Sequence, residues 1–134
     1  RMRPDRVVVG EVRGGDVVDL LSAMNTGHEG GCGTVHANSA ADVPARLEAL
    51  GLSAGLPRAA VHSLMGAGLD AVIHLQRNAS GQRTVAGIHV LSTGRDSGLV
   101  TTIEAVRFSG GQVIDGPGAA LLRQRLQQAG ATPP

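Results

Sequence analysis

Lysine is missing from this chain altogether, and aromatic side chains nearly so: its 134 residues include one phenylalanine, no tyrosine and no tryptophan. Without lysine there is no amine for a Schiff base, and none to grip phosphates from a Gly-x-x-x-x-Gly-Lys-Ser/Thr loop. Without aromatic platforms, single-stranded nucleic acid has nothing to stack on. The one cysteine, Cys32, has no partner for an internal disulfide and suits a reducing compartment. Net charge is also small, formally +1, which leaves no electrostatic footprint for DNA, RNA or anionic lipid. No apolar run reaches the length that spans a bilayer, and no signal-peptide pattern is visible.

What remains is a chain of arginine, alanine, glycine and aliphatic residues, of a length that suits one modest domain or part of a larger one. Its core must come from Val, Leu, Ile and Ala. Arg6 to Val12 is β-branched and almost continuously apolar, which predicts a central parallel strand buried on both faces. Asp16 is expected to cap a helix reaching about Thr26, with Val17, Leu20, Leu21 and Met24 on one face and Gly27 ending it. After a glycine loop, Gly30 to Gly33, a second strand is predicted over Thr34 to Ala37. Ser39 is a candidate cap for a helix from Ala40 to Leu50, and Pro57 opens another that reaches Gly68. Ala71 to Gln76 and Arg83 to Leu91 read as strands joined by a turn at Asn78–Gly81. A further strand is expected over Leu99 to Phe108, a turn at Gly110–Gly111 and a terminal helix over Ala119 to Gln128. This order indicates an α/β core with an antiparallel extension. A central parallel strand needs neighbours, so earlier strands are expected ahead of Arg1.

Chemistry concentrates near the start. Glu11 stands at the carboxyl end of the first strand, where ligands bind in open α/β sheets. A carboxylate there can hold Mg²⁺ through water, or orient and deprotonate the attacking water in phosphoryl transfer. An ion pair with Arg13 or Arg3 explains it equally simply. His28 and His36 flank the glycine loop, and either could meet a γ-phosphate or an attacking water; each could also be structural. Asn38 could add a polar contact or serve a turn. Arg1, Arg3, Arg6 and Arg13 cluster at the first strand, and arginine stabilises charge developing on a transferred phosphoryl group. Arg46 and Arg58 are helix-associated and could serve a subunit interface. His28, Cys32 and His36 offer three ligands to zinc, but the glycines argue against a helix that would gather them, and a closed structural site needs a fourth ligand.

Arg-Pro-Asp-Arg-Val-Val-Val-Gly-Glu-Val-Arg-Gly, then Ala-Met-Asn-Thr-Gly-His-Glu-Gly, then Gly-Thr-Val-His-Ala-Asn-Ser resembles the secretion-superfamily ATPases, the hexameric motors of type II and type IV secretion, conjugation and Tad/Flp pilus assembly. The step from His28 to His36 is similar to the Tad/Flp and conjugation-like branch. The resemblance is strong from Arg1 to about Leu50 and weaker through Leu91. It implies the C-terminal portion of a RecA-like P-loop NTPase core over residues 1–113, with antiparallel strands, followed by a terminal helix and loose tail over 114–134.

The resemblance also implies ATP and Mg²⁺ as ligands. Glu11 takes the Walker B acid position and holds Mg²⁺ through water. Thr26-Gly27-His28 and Thr34-Val-His36-Ala-Asn38 match the histidine box, which puts Gly27, His28, His36 and Asn38 near nucleotide. Arg13 matches the arginine after the Walker B acid. The implied setting is a homo-hexamer at the cytoplasmic face of the membrane, acting on inner-membrane secretion or pilus platform proteins. The family's phosphate loop carries a lysine, and this chain has none. The chain is therefore expected to be part of a longer ATPase and inactive alone. The alternative is a catalytically dead, ATPase-like subunit that joins or caps a ring.

Overall fold

The computed structural model describes residues 6–26 and 30–130. The first strand, β1 (Val8–Val9), pairs in parallel with β2 (Cys32–Gly33), Val8 opposite Cys32 and Val9 opposite Gly33. Ladder hydrogen bonds run past these short spans. Cys32 N–H donates to Val7 O at 2.9 Å, and Val12 N–H donates to Thr34 O at 2.8 Å. The expected strand from Arg6 to Val12 is thus shorter, and it is not buried on both faces, since Val8 is 73% exposed. Among the described residues β1 has a neighbour on one side only, which leaves that valine uncovered. The second strand is Cys32–Gly33, inside the glycine loop, and none of the predicted span Thr34 to Ala37 is strand, because β1 is short and its register stops at Val9.

Helix α1 (Asp16–Met24) presents Val17, Leu20 and Leu21 to the interior. Asp16 is its first residue rather than its cap. Gly15 holds the cap position with no side-chain hydrogen bond, and Asp16 and Asp19 place negative charge in the first turn, where the helix dipole favours it. The helix ends at Asn25, whose amide donates to Leu21 O and to Leu64 O. Gly27, the expected terminator, lies outside the described residues. Ser39 precedes a single 3-10 turn (Ala40–Asp42) that leads into α2 (Val43–Ser53); its hydroxyl bonds Asp42 rather than a free amide. Helix α3 (Arg58–Gly68) follows Pro57 as expected. It packs so closely on α2 that a β-carbon on Gly51 would stand 2.5 Å from Val61 Cγ2.

The rest is a four-stranded antiparallel meander of β3 (Ala71–Arg77), β4 (Arg83–Thr93), β5 (Val100–Ser109) and β6 (Gln112–Asp115). Asn78 Oδ1 closes the β3–β4 turn by accepting from the Ser80 and Gln82 amides. The strand β6 was not expected. It forms because Gly110 and Gly111 adopt φ of 57° and 77°, the backbone of a tight hairpin. Helix α4 (Ala119–Gln128) lies against the sheet, where Arg125 donates to Leu91 O at 2.8 Å and to Asp70 O. One core joins Val12, all of α1's buried face, Val43, Leu47 and Leu50 of α2, Val61 and Met65 of α3, and Leu91 and Val100 of the sheet. Burying each such large side chain contributes about 1.5–3 kcal/mol. This core fixes the strand ends that carry the polar residues discussed next.

Candidate functional site

Val12 is the pin. It is 4% exposed and hydrogen-bonded to Thr34, so its side chain enters the core. Its neighbours Glu11 and Arg13 therefore project to the other side, as alternation in an extended chain requires. The partner segment repeats the pattern: Val35 and Ala37 pack against the core and His36 between them turns outward. Two segments far apart in sequence thus deliver three polar side chains to one place. Arg13 Nη2 stands 2.6 Å from Glu11 Oε2, and His36 Nε2 stands 2.9 Å from Glu11 Oε1.

Glu11 is the least exposed of the three, at 29% for its side chain against 77% for Arg13 and 80% for His36. The Arg13 hydrogen bond, aided by the charges of Arg13 and His36, holds the Glu11 carboxyl below its ordinary value, against a smaller opposing effect of burial. Arg13 is raised in turn, by Glu11. At neutral pH the site is an ionised carboxylate held by two nitrogen donors.

Of the other expected site residues, Gly27 and His28 lie outside the described residues. Asn38 is exposed, and among the described residues no hydrogen bond joins it to this group. Cys32 is a free, exposed thiol. Among the described residues no three His, Cys, Asp or Glu side chains converge as metal ligands, so Mg²⁺ at Glu11 would rest on one carboxylate and water. Arg58, which could serve a subunit interface, pairs with Glu48 at 3.0 Å and stays largely exposed.

Two further polar clusters were not anticipated. His62 is 4% exposed and sits between Glu48 and the Val100 amide. A cleft of about 350 Å³ opens between Ser39–Ala41 and the sheet, bordered by His74, His89, Glu104 and Arg107. Burial lowers His89 below the ordinary imidazole value. The register that sets His89 opposite Glu104 depends on a bulge in β4–β5, which no local sequence pattern announces.

The family model described as type II/IV secretion system protein matches residues 1–107. This chain belongs to that family. It is 62% identical over 91 residues to a Mycobacterium tuberculosis (strain CDC 1551 / Oshkosh) protein named for conjugal transfer, a match covering 68% of this chain and 26% of the relative. It is 40% identical over 90 residues to the conjugal transfer protein TrbB of Rhizobium radiobacter, covering 67% of this chain and 27% of that one. Among solved structures it resembles the VirB11 ATPase from the Brucella suis type IV secretion system, crystallised with sulphate, at 26% identity and a TM-score of 0.59. That likeness covers 67% of this chain and 30% of the VirB11 chain. The fold is accordingly the C-terminal portion of a RecA-like secretion ATPase core, with its antiparallel sheet and terminal helix. The chain spans about a quarter of the length of the curated relatives it matches.

Proposed function

We propose that this segment works within a hexameric ATPase whose ATP hydrolysis powers secretion, conjugation or Tad/Flp pilus assembly. In this proposal Glu11 orients and deprotonates the attacking water and holds Mg²⁺ through water. His36 and His28 stand at the γ-phosphate, with Gly27 and Asn38 on the nucleotide side. Arg13 offers positive charge to the phosphoryl group. One observation supports this most: the 2.9 Å contact between His36 and Glu11, by which two separate family motifs meet at one carboxylate. The partners are further copies of the same polypeptide and inner-membrane platform proteins, with the ring at the cytoplasmic face of the membrane. No helix among the described residues is long and apolar enough to cross a membrane.

The residues present fit only one end of the nucleotide. An ionised carboxylate suits the water shell of Mg²⁺, and guanidinium and imidazole N–H groups suit phosphoryl oxygens. A lysine-bearing phosphate loop must come from elsewhere, since the chain has no lysine. The 134-residue chain is therefore expected not to turn over ATP alone.

The test is Glu11→Gln in a polypeptide that carries this segment behind a phosphate loop. Loss of a general base lowers turnover by about 10²–10⁴-fold while nucleotide still binds. Turnover retained at the parental rate removes Glu11 from catalysis. The alternative reading is a catalytically dead, ATPase-like subunit. Co-purification of the 134-residue chain with a full-length homologue supports that one.

A further inference from the structure

In the structure each oxygen of Glu11 already lies at ion-pair distance from a nitrogen, Oε2 from Arg13 at 2.6 Å and Oε1 from His36 at 2.9 Å. An oxygen so engaged is poorly placed to take a proton from water or to order the shell of a metal. The same two donors are what a tetrahedral oxyanion would seek. A guanidinium matches a phosphoryl group at least as well as a carboxylate, and an imidazole N–H adds a directed donor. The donors also stand largely in solvent, with side-chain exposures of 77% and 80%, whereas Glu11 is at 29%. Exposed ion pairs of this kind are weak and exchange readily.

We infer that Glu11 occupies the oxyanion receptor formed by Arg13 and His36, an autoinhibitory contact that an incoming phosphoryl group displaces. This rests on the proposed function for its meaning. Its geometry stands on the contacts alone. With the receptor empty of phosphate, the carboxylate is sequestered. When a phosphoryl oxygen takes Arg13 and His36, Glu11 is released beside it and free to accept hydrogen bonds from water. The site thereby couples the arrival of phosphate to the availability of its base.

The contact predicts competition, which the 134-residue chain can report without turning over ATP. Inorganic phosphate is titrated at ionic strength held constant with chloride, while the side-chain nitrogen resonances of Arg13 and His36 are followed. Removing an internal competitor raises apparent affinity by the fraction of receptor it had blocked. For a pair of exposed contacts, Glu11→Gln is expected to bind phosphate about three- to tenfold tighter than the parent. Asp19→Asn removes the same charge from the exposed start of α1 and is expected to change affinity less than about twofold, because salt screens it. Adding Arg13→Gln to Glu11→Gln abolishes the gain. Equal affinities for the parent and Glu11→Gln overturn the inference, as does an equal gain from Asp19→Asn. Turnover does not enter this measurement. If phosphate competes but the longer ATPase keeps its rate without Glu11, the catalytic assignment falls and the competition stands.

Discussion

His62 offers the sharpest test of how the helical layer is joined to the sheet. Val100 N–H donates to His62 Nδ1 at 2.9 Å. A nitrogen that accepts carries no proton, so the ring hydrogen is on Nε2, which donates to Glu48 Oε2 at 2.7 Å. The other Glu48 oxygen takes Nε–H of Arg58 at 3.0 Å. One buried ring thus ties α2, α3 and the start of β5. His62→Phe keeps most of the ring volume and removes the acceptor. Val100 is 3% exposed, so its amide has no water to turn to, and an orphaned buried N–H costs about 1–3 kcal/mol. For a chain of this size a loss of about 2 kcal/mol lowers Tm by about 6–10 °C. His62→Ala adds a cavity and is expected to cost about 3–5 kcal/mol. His62→Gln keeps a carbonyl acceptor within reach and is expected to recover about 1 kcal/mol of the Phe loss. The assay is urea unfolding followed by far-UV circular dichroism, since no tryptophan or tyrosine is present to fluoresce. Midpoints should shift with an unchanged slope. The reasoning is refuted if His62→Phe is as stable as the parent, or if Gln is no better than Phe.

Acidification should act in two stages. Burial lowers His89, which faces His74 and Glu104, from its ordinary 6.5, so the fold disfavours its charged form. A lowered folded value means that stability is full above 6.5 and declines as pH falls toward the folded value. Glu11, Glu48 and Glu104 lie below their ordinary 4.5 through hydrogen bonds from Arg13, His62 and Arg107 respectively. Their contribution is complete above 4.5 and disappears as pH falls through the lowered values. Urea midpoints between pH 8 and 3 should show a shallow limb, then a steep one, with Glu48→Gln flattening the steep limb and His89→Gln the shallow one. A midpoint that rises on acidification contradicts the assignment. Gly51→Ala drives a methyl into Val61, which is fully buried, at a cost of about 1–3 kcal/mol. The better helix propensity of alanine returns about 1 kcal/mol. A net loss is expected in thermal melts, and a stabilised variant would mean the α2–α3 contact is looser than it stands here.

Much of the fold was legible because its elements carry their own signals. Pro57 announces α3, the apolar runs Ala71–Gln76 and Arg83–Leu91 with the turn residues Asn78–Gly81 between them announce a hairpin, and the leucines of 119–128 announce α4. The failures share a cause: they depend on partners. Strand β6 is only four residues long, too short to announce itself, and exists because two glycines turn the chain back onto β5. The strand over Arg6–Val12 reads as buried on both faces because valine does not say how many neighbours it has. Asp16 reads as a cap, yet Gly15 already supplies the turn, so the carboxylate serves the helix dipole instead.

The site divides along the same line. Residue type and motif spacing single out Glu11, Arg13 and His36, but not whether they touch. Contact follows from buried Val12 and half-buried Val35, on adjacent parallel segments that turn the intervening polar side chains to one side. The sequence offered phosphate and an ion pair with Arg13 as rival explanations of Glu11. In the competition inferred above they are successive rather than exclusive. A carboxylate held by a guanidinium and an imidazole at the sheet edge is an ion pair, and those same donors are the chemistry a phosphoryl group would require. His62 was silent in the sequence for the opposite reason. A lone histidine among Val61 and Met65 looks like core, and it is core; only the packing of β5 against α3 shows which amide it satisfies.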